Sequence, residues 1–253
     1  MKAEESPQKT KELRMDLILL FDTFGYLPVK YIQKSLNKQK ILRKLGRNDY
    51  LTLWTIQPIE RYKQLEKDRI IFGRIDLSDW YKDDNVKFRQ TYDWLVSQME
   101  KRISPKPFED ALPIWAWYQY LNANRKRPDL RNSNLLPRGQ KGVRIEFRKK
   151  KSEVLLSDFE LWHSPLNYFY IADNEKEDKE FNALLNACGV KFIDKEKYPP
   201  YIRKKVEDSW VKIFDMDYCP KYSASPFDKK SIQATFWNLS VDEIIKVDKF
   251  VAR

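Results

Sequence analysis

The chain has 253 residues, 42% of them hydrophobic, with 8 Trp, 14 Tyr and 14 Phe, which is enough to bury a core and foreign to the composition of a disordered segment. Its net charge of +11 is unevenly placed: residues 1–152 hold 33 Lys and Arg against 19 Asp and Glu, while residues 153–253 hold 15 against 18. That asymmetry points to an anionic partner, and an even solubilising charge is excluded. The longest apolar run, Leu17 to Phe21, is far short of the roughly 20 residues a membrane span requires. The first ten residues have no apolar segment followed by a cleavage site, and Cys188 and Cys219 alone make no disulfide framework. The expectation is a cytoplasmic protein that does not cross a membrane, with its oligomeric state unspecified.

Along the chain, Leu13, Leu17, Leu20 and Phe24, then Ile32, Leu36, Ile41 and Leu45, repeat at three and four residues and predict short helices over 11–47. The turn at Gly25 to Pro28, followed by Lys38, Lys40, Arg43, Lys44 and Arg47, has the look of a helix-turn-helix or winged-helix unit, although a helical cap with a solvated basic face is the commoner source of such a pattern. Leu51 to Gln57 alternates as a strand before Pro58 opens a helix through Glu66. Phe88, Tyr92, Leu95, Val96 and Met99 predict a helix over 86–103, ended by Ser104-Pro105-Lys106-Pro107. Ile114 to Tyr120 reads as a strand with Trp115, Trp117 and Gln119 on one face.

A basic loop comes next, then strands at 142–147 and 154–157, an aromatic helix or turn over 158–170, and helices over 175–189 and 200–214, the first stopped by Gly189. Ser231 to Trp237 is expected to be the last strand before a polar tail. Without a regular βαβ rhythm, the expected fold is α+β. It comprises one mixed-sheet domain packed by helices over 51–253, preceded by a small helical, winged-helix-like appendage over 1–50.

Between residues 125 and 151, Arg125, Lys126, Arg127, Arg131, Arg138, Lys141, Arg144, Arg148, Lys149, Lys150 and Lys151 face only Asp129 and Glu146. Eleven cations exceed what protection of a strand edge needs, so this stretch is the candidate nucleic-acid interface, held by phosphate neutralisation. Trp115, Trp117 and Tyr118 beside it are either base-stacking surfaces or core.

His163 is the only histidine, which excludes most zinc sites. With Asp158 and Asn167 it forms either a small polar pocket or a hydrogen-bonded structural group.

The blocks Leu53 to Gln57, Trp94 to Ile103, Pro113 to Gln119, Leu155 to Asn167 and Ser231 to Trp237 together resemble a bacterial domain-of-unknown-function family, DUF3841, over about residues 53–239. The resemblance implies a bacterial or phage source and one contiguous domain, with no activity attached. A looser similarity links Trp54 to Gln57, Trp117 with Tyr118, Gln233 and the Gly25 to Val29 turn to the ADP-ribosyltransferase and RNA phosphotransferase folds. It implies NAD as a cofactor and a catalytic cleft at Gln57, Tyr118 and Gln233, to which Asp158 and His163 of the polar pocket are added as candidate catalytic residues. Gln233, however, stands where those enzymes carry a glutamate, and a neutral amide cannot act as a base.

The expected function is therefore engagement of a nucleic acid through a basic face, in a defence or toxin setting, with no cofactor. The alternatives are an NAD-dependent ADP-ribosyltransferase-like enzyme and a non-catalytic module that meets an acidic protein.

Overall fold

The computed structural model describes residues 49–77 and 86–253; the helices and the helix-turn-helix reading over 11–47 lie outside the described residues. Strand β1 (Tyr50–Pro58) alternates as its sequence predicts. Pro58 ends the strand and precedes α1 (Ile59–Asp68), since proline donates no backbone hydrogen bond and its fixed φ suits a helix start. Arg69 closes α1 at φ 65° with its N–H on the Leu65 carbonyl, turning the chain into β2 (Ile70–Arg74). Helix α2 (Val86–Arg102) leads to the short β3 (Ala111–Leu112) and to β4 (Ile114–Gln119).

Then follow β5 (Lys141–Lys150), β6 (Leu155–Asp158), α3 (Phe159–Leu166), α4 (Glu175–Ala187) and α5 (Pro200–Ser209). Asn174 caps α4 by accepting from the Glu177 N–H, and Gly189 follows the helix at φ 67°, a conformation that costs glycine nothing. The chain finishes with β7 (Ile232–Phe236), β8 (Asn238–Ser240) and β9 (Ile244–Val251).

Six strands form one sheet in the order β6-β7-β4-β1-β5-β9, with every named pair antiparallel. The result is an α+β domain packed by helices, as expected. The polar tail is not found: β9 pairs with β5 from Lys141↔Val251 to Phe147↔Ile244 and forms an edge of the sheet. A second sheet, in the order β3-β2-β8, depends on Gly73, where an added Cβ would lie 2.2 Å from the Leu112 carbonyl oxygen.

Two cores result. On one face of the large sheet Leu53, Ile114, Ala116, Ile145, Phe147 and Phe236 pack with Leu65 of α1 and with Ile71 and Leu239 of the small sheet. The other core joins Trp115 and Leu155 to Leu95 and Met99 of α2, Trp162 of α3, Phe181 of α4, Val206 of α5 and Trp210. Side chains such as Trp210, Phe147 and Leu95, 0% exposed, each stabilise the fold by about 1.5–3 kcal/mol.

Candidate functional site

Directly opposed residues of adjacent strands share a face. The register sets Lys246 opposite Glu146, Glu146 opposite Trp54, Trp54 opposite Trp117, Trp117 opposite Gln233 and Gln233 opposite Ser157. One row therefore crosses all six strands. Trp54 Nε1 donates to Glu146 Oε2 at 3.0 Å, which fixes the indole.

Trp117 meets Tyr120 edge-on at 4.9 Å and Phe159 at 5.1 Å, and Phe159 meets His163 at 5.0 Å. Trp54 and Trp117 pack into neither core, whereas Trp115, two residues along, belongs to the helix-covered one. There Trp115 meets Tyr92 edge-on at 6.1 Å, and burial pushes the Tyr92 hydroxyl up to about 12. At the β7 and β6 end of the row, the buried Gln233 Oε1 and Ser157 Oγ have no hydrogen-bond partner; Ser157 is 1% exposed.

The basic stretch divides into three groups. Arg144 is buried, bonded to Asp248 at 2.6 Å and to the Pro128 carbonyl, and Lys149, 2% exposed, is bonded to Glu243 at 2.8 Å. Neither is available to a ligand, which corrects the expectation for Arg144. Arg131 is held by Asp129. At the end of the sheet where β1 begins and β4 and β5 finish, Arg125, Arg127, Arg148, Lys150 and Lys151 are exposed, and their side chains have no partner among the described residues. Lys126 lies there too, its ammonium 5.1 Å from the Tyr118 ring. Arg138 and Lys141 are exposed at the opposite end, beside Ala252 and Val251. Seven residues along β5 separate Lys141 from Arg148, a span of about 23 Å, so these two stand apart from the rest.

The bond to Arg144 holds the Asp248 carboxyl below its ordinary value, against the opposing effect of burial. A depressed folded pKa contributes stability above the unfolded value, near pH ~4, and that stability is lost as pH falls through the folded value. Asp248→Asn is therefore expected to unfold at lower urea than the parent at neutral pH and to converge with it as pH falls through the folded value. A gap that stays constant across the acid range would contradict this assignment.

The five candidate catalytic residues do not converge. Gln57 and Tyr118 alternate onto the face opposite Gln233. Gln57 donates to Thr55 Oγ1 at 2.8 Å, and Tyr118 packs against the α1-side core. Asp158 is the N-cap of α3, with Oδ1 accepting from the N–H groups of Glu160 and Leu161 and Oδ2 from Lys230 Nζ at 2.7 Å. His163 is exposed, with Nδ1 near the carbonyls of Phe159 and Glu160. Only Gln233 occupies the aromatic row, with Phe159 and His163 at its rim.

Gln119 also departs from its expected face. A bulge shifts the register between Trp117 and Gln119; Gln119 Nε2 donates to the carbonyls of Phe227 and Lys230, while its buried Oε1 has no partner. Sequence reasoning missed Lys230 and the Trp54 to Glu146 bond; the second follows only once β1 and β5 are in register.

A cleft of about 430 Å³ lies elsewhere, between α4 and α5, with Tyr170, Glu177, Tyr201 and Lys205 among its walls. Its charges mostly satisfy one another: Lys204 binds Asp208 at 2.6 Å, and nearby Lys212 binds Asp173 at 2.7 Å. Burial and the Glu177 carboxylate raise the Tyr170 hydroxyl. Among the described residues no group of His, Cys, Asp and Glu could hold a metal ion, and no helix is long and apolar enough to cross a membrane.

Residues 52–245 match the family model described as Domain of unknown function (DUF3841). No curated protein and no solved structure matches the chain.

Proposed function

We propose that this chain, which belongs to the DUF3841 family, engages a nucleic acid through the basic end of its six-stranded sheet. The observation that carries this reading is the cluster of Arg125, Arg127, Arg148, Lys150 and Lys151 at one end of the sheet, exposed and without side-chain partners among the described residues. Five unneutralised cations repel one another, and that repulsion is relieved when phosphates approach. Each contact releases condensed counterions, which gives affinity without sequence selectivity.

The two basic residues withdrawn into ion pairs sharpen the test. Replacing Arg125, Arg127, Arg148 and Lys150 together by glutamine is expected to reduce the slope of log affinity against log salt by about 3 for a single-stranded oligonucleotide. Fluorescence anisotropy across a salt series measures it. Arg138→Gln with Lys141→Gln, at the far end, should leave the slope nearly unchanged. Absence of binding at low salt, or equal effects from both sets, overturns the proposal.

A further inference from the structure

We infer that the nucleic acid is single-stranded and that its unpaired bases stack on the Trp54 and Trp117 strip, beside the polar pair Gln233 and Ser157 that continues the row. This deepens the reading above and rests on it.

The strip is built differently from core. Trp54 and Trp117 are opposed in register on neighbouring strands and belong to neither hydrophobic cluster. Each is braced from the side, Trp54 by its bond to Glu146 and Trp117 by edge-on contacts with Tyr120 and Phe159. In an edge-to-face contact the edge of one ring meets the face of the other, which holds the indole in orientation, and Trp54 and Trp117 both remain half-buried. A flat base therefore finds two oriented indoles, and duplex DNA or RNA, whose bases are already stacked, cannot use them.

The cations lie on the same side of the sheet. Thr52 opposes Arg148 and Tyr50 opposes Lys150, so both basic residues alternate onto the face that bears Trp54. Arg144, on that face as well, binds the Pro128 carbonyl, and Asn132 donates to the Tyr120 hydroxyl. The loop that carries Arg125 and Arg127 is thus tied down beside the strip. A phosphate backbone at the basic end and bases laid along the row satisfy both features at once.

Ser157 Oγ and Gln233 Oε1 supply the second, independent pointer. Leaving a buried polar atom unpaired is costly, and the two residues are directly opposed in the same row as Trp117. A hydrogen-bond donor brought by the occupant relieves that cost, and the exocyclic amines of adenine and cytosine are such donors.

The test uses the full chain and four probes of equal length, about 12 nucleotides: mixed-sequence single-stranded DNA, its duplex, an abasic strand of the same phosphate count, and oligothymidine. The mixed strand is expected to bind about tenfold more tightly than the abasic one. Trp54→Ala should remove about tenfold of that affinity while sparing the abasic strand and the salt slope, and Trp54→Phe should restore most of it. Gln233→Met should weaken the mixed strand and oligothymidine alike, since thymine N3–H is also a donor, and spare the abasic strand. A circular-dichroism melt of each variant separates lost folding from lost binding. Equal affinity for mixed and abasic strands, or equal loss on both in Trp54→Ala, overturns the stacking inference and leaves the electrostatic reading standing. Salt-independent or absent binding of every probe overturns both.

Discussion

Replacing Lys230 by methionine is expected to destabilise the fold by about 3–5 kcal/mol, the largest loss expected from a single charge among the described residues. Lys230 and Asp158 have side chains 0% and 3% exposed, with Nζ and Oδ2 2.7 Å apart. The lysine also donates to the Tyr218 carbonyl. Methionine fills the same space but leaves the Asp158 carboxylate buried without its cation, and an uncompensated buried charge is what makes such losses large.

Asp158 performs two tasks with two oxygens: Oδ2 takes the lysine, and Oδ1 caps α3. Asp158→Asn keeps the cap and orphans the lysine, so it should lose a similar amount. The double variant Asp158→Asn with Lys230→Met should lose distinctly less than either single one, because no charge then remains buried. Urea unfolding of the four proteins gives the coupling, and additive losses would rule out the pair as the cause.

The second large effect separates two adjacent lysines. Lys149→Met is expected to lower stability by about 3 kcal/mol, and Lys150→Met to change it by no more than about 0.5 kcal/mol. Lys149 Nζ reaches Asn238 Oδ1 at 3.0 Å and Glu243 Oε1 at 2.8 Å, and lies 5.6 Å from the centre of the Phe236 ring. It thereby joins β5 to β8 and to the turn before β9. Glu243 in turn accepts the Ser240 N–H in a capping box, so losing the lysine leaves that carboxylate underpaired. Lys150 alternates to the face that bears Trp54 and is itself exposed, and its loss should register in oligonucleotide affinity. If Lys150→Met proves the more destabilising of the two, the division of the basic stretch into structural and binding residues is wrong.

Much of the architecture is legible from spacing. Alternation in Leu51 to Gln57, the proline at 58, the helical repeat from Phe88 to Met99 and Gly189 correspond to β1, the start of α1, α2 and the end of α4. Strand β9 escapes because an edge strand hides its pattern: Ile244 and Val247 turn inward, while Ile245 is 48% exposed and Lys246 and Lys249 face solvent, the mark of a protected edge. Strand β2 escapes because the turn into it places a left-handed conformation on Arg69 instead of glycine.

The candidate site is harder to read for the same reason. Nothing local distinguishes Arg144 and Lys149 from Arg148 and Lys150. The acids that neutralise the first two, Asp248 and Glu243, come from the far end of the chain. Likewise Trp115 and Trp117 share a sheet face, and only the placement of α2 and α3 decides that the first is core and the second is not.

Strand order also sets the timing of assembly. The central strand, β1, is the first strand among the described residues, yet its partners β4 and β5 come about 60 and 90 residues later. During synthesis β1 therefore waits with both of its edges unsatisfied, and an apolar, aromatic stretch such as Leu51 to Ile56 is prone to wrong pairing in that interval. The charge around β5 shortens the hazard: as the ribosome releases the run from Arg144 to Lys151, the strand that completes the centre arrives highly cationic, and like charge keeps two such nascent chains from pairing with each other instead.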